Sequence, residues 1–150
     1  MSERYDVAGI GNAIVDVIFA TSDEFLLKHN IAKGVMTLID EFRAVELIIA
    51  MSGVHESSGG SAANTMAGLA SLGTKGAFIG KVKNDPLGNS FVKDMKCIGV
   101  HFDTPMAENG SATACCVIAV TPDGQRSMST YLGACSELAP GDIQLATVTH

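Results

Sequence analysis

Short apolar runs alternate with amphipathic stretches along most of the chain. The runs at 7–11, 14–19, 35–39 and 77–82 predict buried strands. The stretches at 23–29, 40–51 and 85–98 predict helices, and so does the second half of 57–73, which is rich in small residues. Strands that alternate with helices predict an α/β fold with a largely parallel sheet.

Two further strands are predicted at 113–120 and 127–132. The turn sequence Thr121-Pro122-Asp123-Gly124 joins them, so we expect a β-hairpin, which could form a separate sheet with the strand at 35–39. Residues 140–145 resemble the start of a helical unit, and the sequence stops soon afterwards at His150. We therefore expect 1–150 to be the front part of a longer protein.

Composition narrows the class of protein. The 150 residues are 47% apolar and 17% charged, which favours one folded domain over a disordered chain. The net charge is −6 and the ten Lys and Arg residues are scattered, which argues against a nucleic-acid partner. Neither a signal peptide nor an apolar run of membrane-spanning length is visible, so we expect a cytoplasmic protein with no membrane partner.

The cysteine and histidine residues do not predict a metal site. The four cysteines contain no C-x-x-C motif and the four histidines are dispersed, unlike the ligands of a zinc site. We interpret the cysteines as reduced thiols, and Cys115-Cys116 as part of a buried strand.

Gly9 and Gly11 only partly resemble a dinucleotide-binding fingerprint. The pattern G-x-G-x-x-G needs a third glycine where this sequence has Ile14, and a strand rather than a helix is predicted to follow. We interpret the two glycines as part of a strand end.

Asp16 interrupts an otherwise apolar strand. A buried carboxylate is costly unless partners satisfy it. Asp16 could point to solvent from an edge strand, or it could accept hydrogen bonds from the hydroxyls of a ligand such as a vicinal diol. In the second case Asn12 could add another polar contact.

Gly59-Gly60 precedes the helix of small residues, which contains Asn64. Glycine lets a backbone approach a ligand closely, and the start of a helix offers free N–H groups. The alternatives are a ligand site suited to sugar hydroxyls and a flexible loop before an ordinary helix. A P-loop is excluded because its G-x-x-x-x-G-K-[ST] spacing is missing. Arg126, after the predicted turn, could be a solvated charge or could bind a phosphate.

Three blocks occur in a recognisable order: Gly11–Val17 (GNAIVDV), Ser58–Asn64 (SGGSAAN) and Gly80–Gly88 (GKVKNDPLG). Together they resemble the N-terminal half of the ribokinase/PfkB family of carbohydrate kinases, over essentially the whole chain. Within that family, the first block and the turn before Arg126 most resemble the adenosine kinase branch and the bacterial sugar kinases close to it.

The resemblance implies a ribokinase-like three-layer α/β/α fold with a mostly parallel sheet and a small β lid. Residues 1–150 would be the N-terminal part of that domain, with lid strands at about 35–39 and 113–132, and without the C-terminal half that binds ATP and catalyses.

The resemblance also assigns roles to the candidate residues. Asp16 would hold ribose hydroxyls with Asn12 beside it, and Arg126 would reach the phosphate side of the site from the lid. The same sugar would be bound from the other side by Gly59, Gly60 and Asn64. Candidates for an apolar wall near a base are Met36, Leu38, Cys115 and Leu132.

The activity implied is an ATP- and Mg²⁺-dependent kinase that phosphorylates a primary hydroxyl, with adenosine favoured over ribose and fructose. The family's second signature, Asp-Thr-x-Gly-Ala-Gly-Asp, holds the catalytic base and does not occur in the sequence. We therefore expect no catalytic residue in 1–150 and no activity from these residues alone. A non-catalytic nucleoside- or sugar-binding module is the alternative, and a homodimer through the lid sheet is possible.

Overall fold

The structure is a computed structural model that describes residues 4–148, and it contains two sheets with helices packed around them. The strands are β1 (Val7–Ile10), β2 (Ile14–Ala20), β3 (Met36–Leu38), β4 (His55–Gly59), β5 (Gly76–Ile79), β6 (Ala114–Val120) and β7 (Arg126–Tyr131). The helices are α1 (Asp23–Lys28), α2 (Glu41–Ala50), α3 (Ser61–Ser71), α4 (Pro86–Cys97) and α5 (Leu145–Val148), with 3-10 turns at Gly133–Glu137 and Pro140–Asp142. The predicted α/β class is confirmed.

A parallel pair, β1 and β5, forms the smaller sheet, with Val7 opposite Gly76 and Ile10 opposite Ile79. The helix α3 packs closely on this pair. A Cβ built at Gly9 would lie only 2.9 Å from the Met66 sulfur atom on α3, so any other residue there would require the Met66 side chain to shift. The close packing agrees with the small residues that dominate α3.

The larger sheet has the strand order β3-β7-β6-β2-β4, and we call it the lid sheet. The pairs β6–β7 and β2–β4 are antiparallel, whereas β2–β6 and β3–β7 are parallel. The predicted hairpin and the predicted strand at 35–39 do share this sheet. It also contains β2, in its interior, and β4, for which the sequence predicted no strand.

One apolar core joins the two sheets. Its buried members come from the lid sheet, the parallel pair and the two helices between them, and include Val15, Val17, Met66, Phe78, Phe91, Met95 and Cys115. A second cluster, Phe19, Leu26, Leu47, Val117 and Ala119, lies between the lid sheet and the helices α1 and α2. Both clusters lie on the same face of the lid sheet, and the opposite face is not part of either cluster.

Candidate functional site

Asp16 lies on the lid-sheet face that the core does not use. Strand side chains alternate between faces, and Val15 and Val17 on either side of Asp16 are buried in the core. The strand β2 is paired on both sides, with β4 and with β6. Asp16 therefore does not lie on an edge strand, although its side chain is on the face away from the core and is partly exposed.

The strand register defines a row of side chains across this face. Asp16 is opposite Ser57 on one side and Cys116 on the other, and Cys116 is opposite Thr130. The Thr130 hydroxyl donates a hydrogen bond to the Cys116 sulfur atom at 3.2 Å. Leu38, opposite Thr130, completes the row. Asp16 thus stands in a strip of small polar groups that ends at an apolar residue.

Apolar residues form the neighbouring row on the same face. They are Ile18, Ile118, Met128 and Met36, each opposite the next across the sheet. Burial in these surroundings raises the pKa of Asp16, and the positive charge of Arg126 partly opposes the rise. A carboxylate that has lost part of its water gains more from hydrogen bonds donated by a ligand.

Gly59 and Gly60 allow the end of β4 to approach both Asp16 and the loop before β2. A Cβ at Gly59 would lie 2.6 Å from the Asp16 carboxyl carbon, so the carboxylate occupies space that any other residue would fill. Gly60 has φ +97°, and a Cβ there would overlap the carbonyl oxygen of Asn12. The two glycines therefore bring Asn12 and Asp16 to one corner of the molecule.

The start of α3 lies at the same corner. The Asn64 backbone N–H donates to the Gly60 carbonyl at 2.9 Å, and the Asn64 side chain is exposed. Side chains cap the starts of α1, α2 and α4 through Ser22, Asp40 and Asp85, whereas no side chain caps α3 within residues 4–148. The first N–H groups of α3 are thus available to hydroxyls or to an anion.

Arg126 is the first residue of β7 and is exposed. The turn before it is held by Asp123, whose Oδ1 accepts a hydrogen bond from the Thr121 hydroxyl at 2.6 Å. Lys33 Nζ lies 2.7 Å from a carboxylate oxygen of both Asp123 and Asp23. Hydrogen bonds from Lys33 and Thr121 lower the pKa of Asp123 to about 2. Arg126 therefore extends from an anchored turn.

The structure thus brings five of the candidates together, because Asn12, Asp16, Gly59, Gly60 and Asn64 meet where the loop before β2 contacts the junction of β4 and α3. Arg126 reaches this group through its charge rather than through a direct contact.

The apolar-wall assignment needs one correction. Cys115 is buried in the core with Val15, on the opposite face from Asp16, because adjacent residues of a strand point to opposite sides. Cys116, not Cys115, lies on the Asp16 face, where the sequence analysis expected Cys115. Met36 and Leu38 are on the Asp16 face and exposed, and Leu132 follows β7 and is half-buried.

Sequence reasoning missed Ser57, Cys116 and Thr130, which lie in the same row as Asp16, and Asp94, which supports β4. Asp94 lies on α4, and its Oδ2 accepts a hydrogen bond from the Ser58 backbone N–H at 2.8 Å. The available signal was that side chains alternate between the two faces along the strand of Cys116. Whether Cys115 or Cys116 shares the face of Asp16 depends on the strand register, which the sequence does not reveal.

Between residues 4 and 148, no three His, Cys, Asp or Glu side chains come together as ligands for a metal ion. In the same part of the chain, no helix is long and apolar enough to cross a membrane.

Residues 35–148 match the family described as pfkB family carbohydrate kinase. The chain belongs to this family. PfkB kinases are phosphotransferases that use ATP, generally with Mg²⁺. The residues of this pfkB chain that the structure describes hold no acidic cluster that would bind Mg²⁺.

Solved structures resemble this pfkB chain over nearly its whole length. An adenosine kinase from Sinorhizobium meliloti is 51% identical, with a TM-score of 0.84 over 95% of this chain and 43% of its own. A probable sugar kinase from Rhizobium etli CFN 42 is 48% identical, with a TM-score of 0.86 over 97% of this chain and 44% of its own. These likenesses confirm the ribokinase-like fold, and the chain spans less than half of either protein.

A curated relative is also similar. A fructokinase from Solanum tuberosum is 30% identical over 95 residues, which are 62% of this chain and 30% of the fructokinase. The relatives therefore include proteins named for a nucleoside and for a sugar.

Proposed function

We propose that residues 1–150 form the substrate-binding half of an ATP-dependent kinase that phosphorylates the primary hydroxyl of a nucleoside or sugar, with adenosine as the favoured substrate. The observation that carries the proposal is the Asp16 carboxylate, which is half-buried and lies against Gly59 beside the uncapped start of α3. A carboxylate accepts hydrogen bonds from two adjacent hydroxyls, and the free N–H groups of α3 donate to their oxygen atoms.

Adenosine is favoured over other substrates for two reasons. The structure that is 51% identical is that of an adenosine kinase. The face around Asp16 also carries a row of apolar side chains, ending at Met36, against which a purine base could pack. Fructose or ribose is the second candidate, because the fructokinase relative is named for a sugar without a base.

Arg126 is proposed to meet the phosphoryl group during transfer. Its guanidinium is exposed on the lid sheet, on the same face as Asp16, and is suited to bidentate contacts with phosphate oxygens. ATP would supply the phosphoryl group. The catalytic base is expected from the family's second signature, which 1–150 does not contain, so we expect these residues alone to bind substrate without transferring phosphate.

Calorimetric titration of the full-length gene product with adenosine, ribose and fructose tests the proposal. We expect adenosine to bind most tightly and Asp16→Asn to weaken its binding roughly 10- to 100-fold, because hydrogen bonds to a charged group are lost. Glu46→Gln, which neutralises an exposed carboxylate on α2, is the control. If fructose bound more tightly than adenosine, a sugar kinase would be favoured. If substrate bound but no phosphorylated product formed when ATP was added, a non-catalytic binding module would be favoured. An unchanged affinity in Asp16→Asn would contradict the site.

A homodimer through the lid sheet is part of the same proposal. The strand β3 is at the edge of the sheet, and Met36 and Leu38 on it are 55% and 60% exposed. An apolar edge strand can pair with a second copy. A Leu38→Lys variant that leaves the molecular mass in light scattering unchanged would count against this interface.

A further inference from the structure

A cavity lies at the opposite end of the parallel pair from the Asp16 corner. Its volume is about 470 Å³. The walls come from the residues that lead into β1 and β5, from the end of α4, and from the segment 99–102 that follows it. The four residues of β1 separate this cavity from Gly11 by about 13 Å, at roughly 3.3 Å per residue. The cavity is therefore not an extension of the proposed sugar site.

Three cations line this cavity. Arg4, Lys75 and Lys96 are all exposed, and none forms an ion pair with another residue of 4–148. By contrast, Lys33, Arg43 and Lys81 each pair with a carboxylate. The chain as a whole has a net charge of −6, so three unpaired cations around one cavity oppose the overall charge. Such a group attracts an anion and repels a metal ion.

The carboxylates beside the cavity are engaged in other contacts. Asp6 accepts a hydrogen bond from the Lys75 backbone N–H at 2.9 Å. Asp103 accepts from the Thr147 hydroxyl through both oxygens, at 3.0 and 2.8 Å, and also lies 3.3 Å from His101 Nε2. Neither carboxylate forms an ion pair with Arg4, Lys75 or Lys96 within residues 4–148.

An aromatic surface forms another part of the wall. The rings of Tyr5 and His101 stack with centroids 4.8 Å apart and an angle of 27° between their planes. Stacked rings give the cavity a flat, rigid side against which a planar or apolar group can pack. The volume of about 470 Å³ is in the range of small-molecule sites and exceeds what a single inorganic ion fills.

We propose that this cavity binds a small phosphorylated anion, with its phosphate held by Arg4, Lys75 and Lys96. The guanidinium of Arg4 can make a bidentate contact with phosphate, and the two ammonium groups add point charges. The inference is independent of the proposed kinase activity, since it uses no residue of the Asp16 corner.

The test uses pyrophosphate, which has neither the sugar nor the base that the Asp16 corner is proposed to bind. Pyrophosphate is titrated calorimetrically into the full-length gene product and into the variants Lys75→Glu and Lys96→Glu. We expect each charge reversal to weaken binding by at least about tenfold. Lys93→Glu is the matched control, because Lys93 is exposed on the same helix but does not line the cavity, and its affinity should stay within about twofold of the original.

Two further arms distinguish the ligand and the site. Inorganic phosphate and AMP are titrated beside pyrophosphate, and tighter binding of AMP that persists in Asp16→Asn but is weakened in Lys75→Glu would identify a nucleotide that uses the aromatic wall. Asp16→Asn should not change pyrophosphate binding, so failure of the proposed function and failure of this site are separable. The proposal is overturned if pyrophosphate does not bind saturably, if Lys75→Glu and Lys96→Glu bind it normally, or if Asp16→Asn abolishes binding.

Discussion

The Asp16 carboxylate is expected to have opposite effects on folding and on the proposed substrate binding. Burial raises its pKa above the ordinary value of 3.8, so ionisation of Asp16 costs the folded state stability as pH rises from about 3.8 through the raised pKa. The same ionised group is what a sugar hydroxyl needs as an acceptor. Under the proposed function, the residue therefore gives up some stability for substrate binding, as functional residues commonly do.

Asp16→Asn should consequently be more stable than the original protein near neutral pH. The rise in the unfolding temperature should be no more than about 3 °C, since the side chain is only half-buried. The difference should vanish only at about pH 2, well below both pKa values, where Asp16 is protonated in the folded and the unfolded states. Thermal unfolding of both proteins at the two pH values measures this. A variant that is less stable near pH 7 would mean that the Arg126 charge outweighs the cost of burial.

Gly59 is required for the position of the Asp16 side chain rather than for an unusual backbone conformation. In Gly59→Ala the new Cβ would meet the Asp16 carboxyl group at 2.6 Å and displace it. We expect adenosine affinity to fall by at least about tenfold, by loss of a charge-assisted hydrogen bond. Calorimetry measures the affinity, and thermal unfolding checks that the fold persists.

Gly68→Ala is the matched control for that prediction. Gly68 lies on α3, where a Cβ would meet no atom within 4 Å. Helix propensity should make this variant more stable by roughly 0.5–1 kcal/mol, with unchanged binding. If Gly59→Ala bound adenosine as tightly as Gly68→Ala does, the position of the Asp16 carboxylate would not determine adenosine affinity.

At the residue scale, the sequence was enough to predict which residues are chemically suited to a site, but not which residues contact one another. A carboxylate within an apolar strand and a glycine pair before a helix were enough to select Asp16 and Gly59. Cys115 was selected in place of Cys116 because the two thiols are adjacent and equivalent in composition. Only the pairing of β2 with β6, which places Cys116 opposite Asp16, distinguishes them.

At the scale of elements, Asp85 joins two parts of the fold. One oxygen caps α4 by accepting from the Gly88 N–H at 2.8 Å, and the other accepts from the Thr113 N–H at 2.9 Å, just before β6. Thr113 is buried, so in Asp85→Ala its N–H would lose its partner without gaining water. Loss of the cap and the unsatisfied donor together should cost about 2–4 kcal/mol of the free energy of unfolding.

Asp40→Ala removes a helix cap alone and is the control for Asp85→Ala. Asp40 caps α2 through the Arg43 N–H at 2.8 Å, and its side chain is exposed. We expect a loss of only about 1 kcal/mol, measured like that of Asp85→Ala by unfolding in urea. Equal losses in the two variants would show that the contact of Asp85 with Thr113 contributes nothing.

The helices and most strands were predictable because they carry local signals. Ser22, Asp40 and Asp85 cap three helices, and the turn before Arg126 fixes the hairpin. The strand β4 was not predictable, because His55–Gly59 is polar and ends in glycine. The strand β4 forms because it pairs with the free edge of β2 and because Asp94 accepts a hydrogen bond from the Ser58 N–H. Both contacts are with residues distant in sequence, so local sequence does not predict them.

At the scale of the whole molecule, the continuous core limits how the lid sheet can move. Val15 and Cys115 of the lid sheet share one core with Phe78 of the parallel pair, so this part of the sheet cannot separate from the pair without exposing apolar surface. The far side is held less firmly. All three residues of β3 are exposed, and within residues 4–148 β3 pairs only with β7. Closure over a substrate should therefore involve β3 and the turn at 121–125 rather than the whole sheet.

Hydrogen exchange measured with and without adenosine tests this view of closure. Peptides that cover 33–40 and 121–126 should exchange quickly without ligand and become protected about tenfold or more when adenosine binds, because a ligand under β3 and β7 suppresses local opening. Peptides from α4, which packs against the common core, should change little and serve as the internal reference. If α4 and β2 became protected as strongly as β3, the two sheets would move as separate bodies. The prediction that closure is confined to the outer strands would then be wrong.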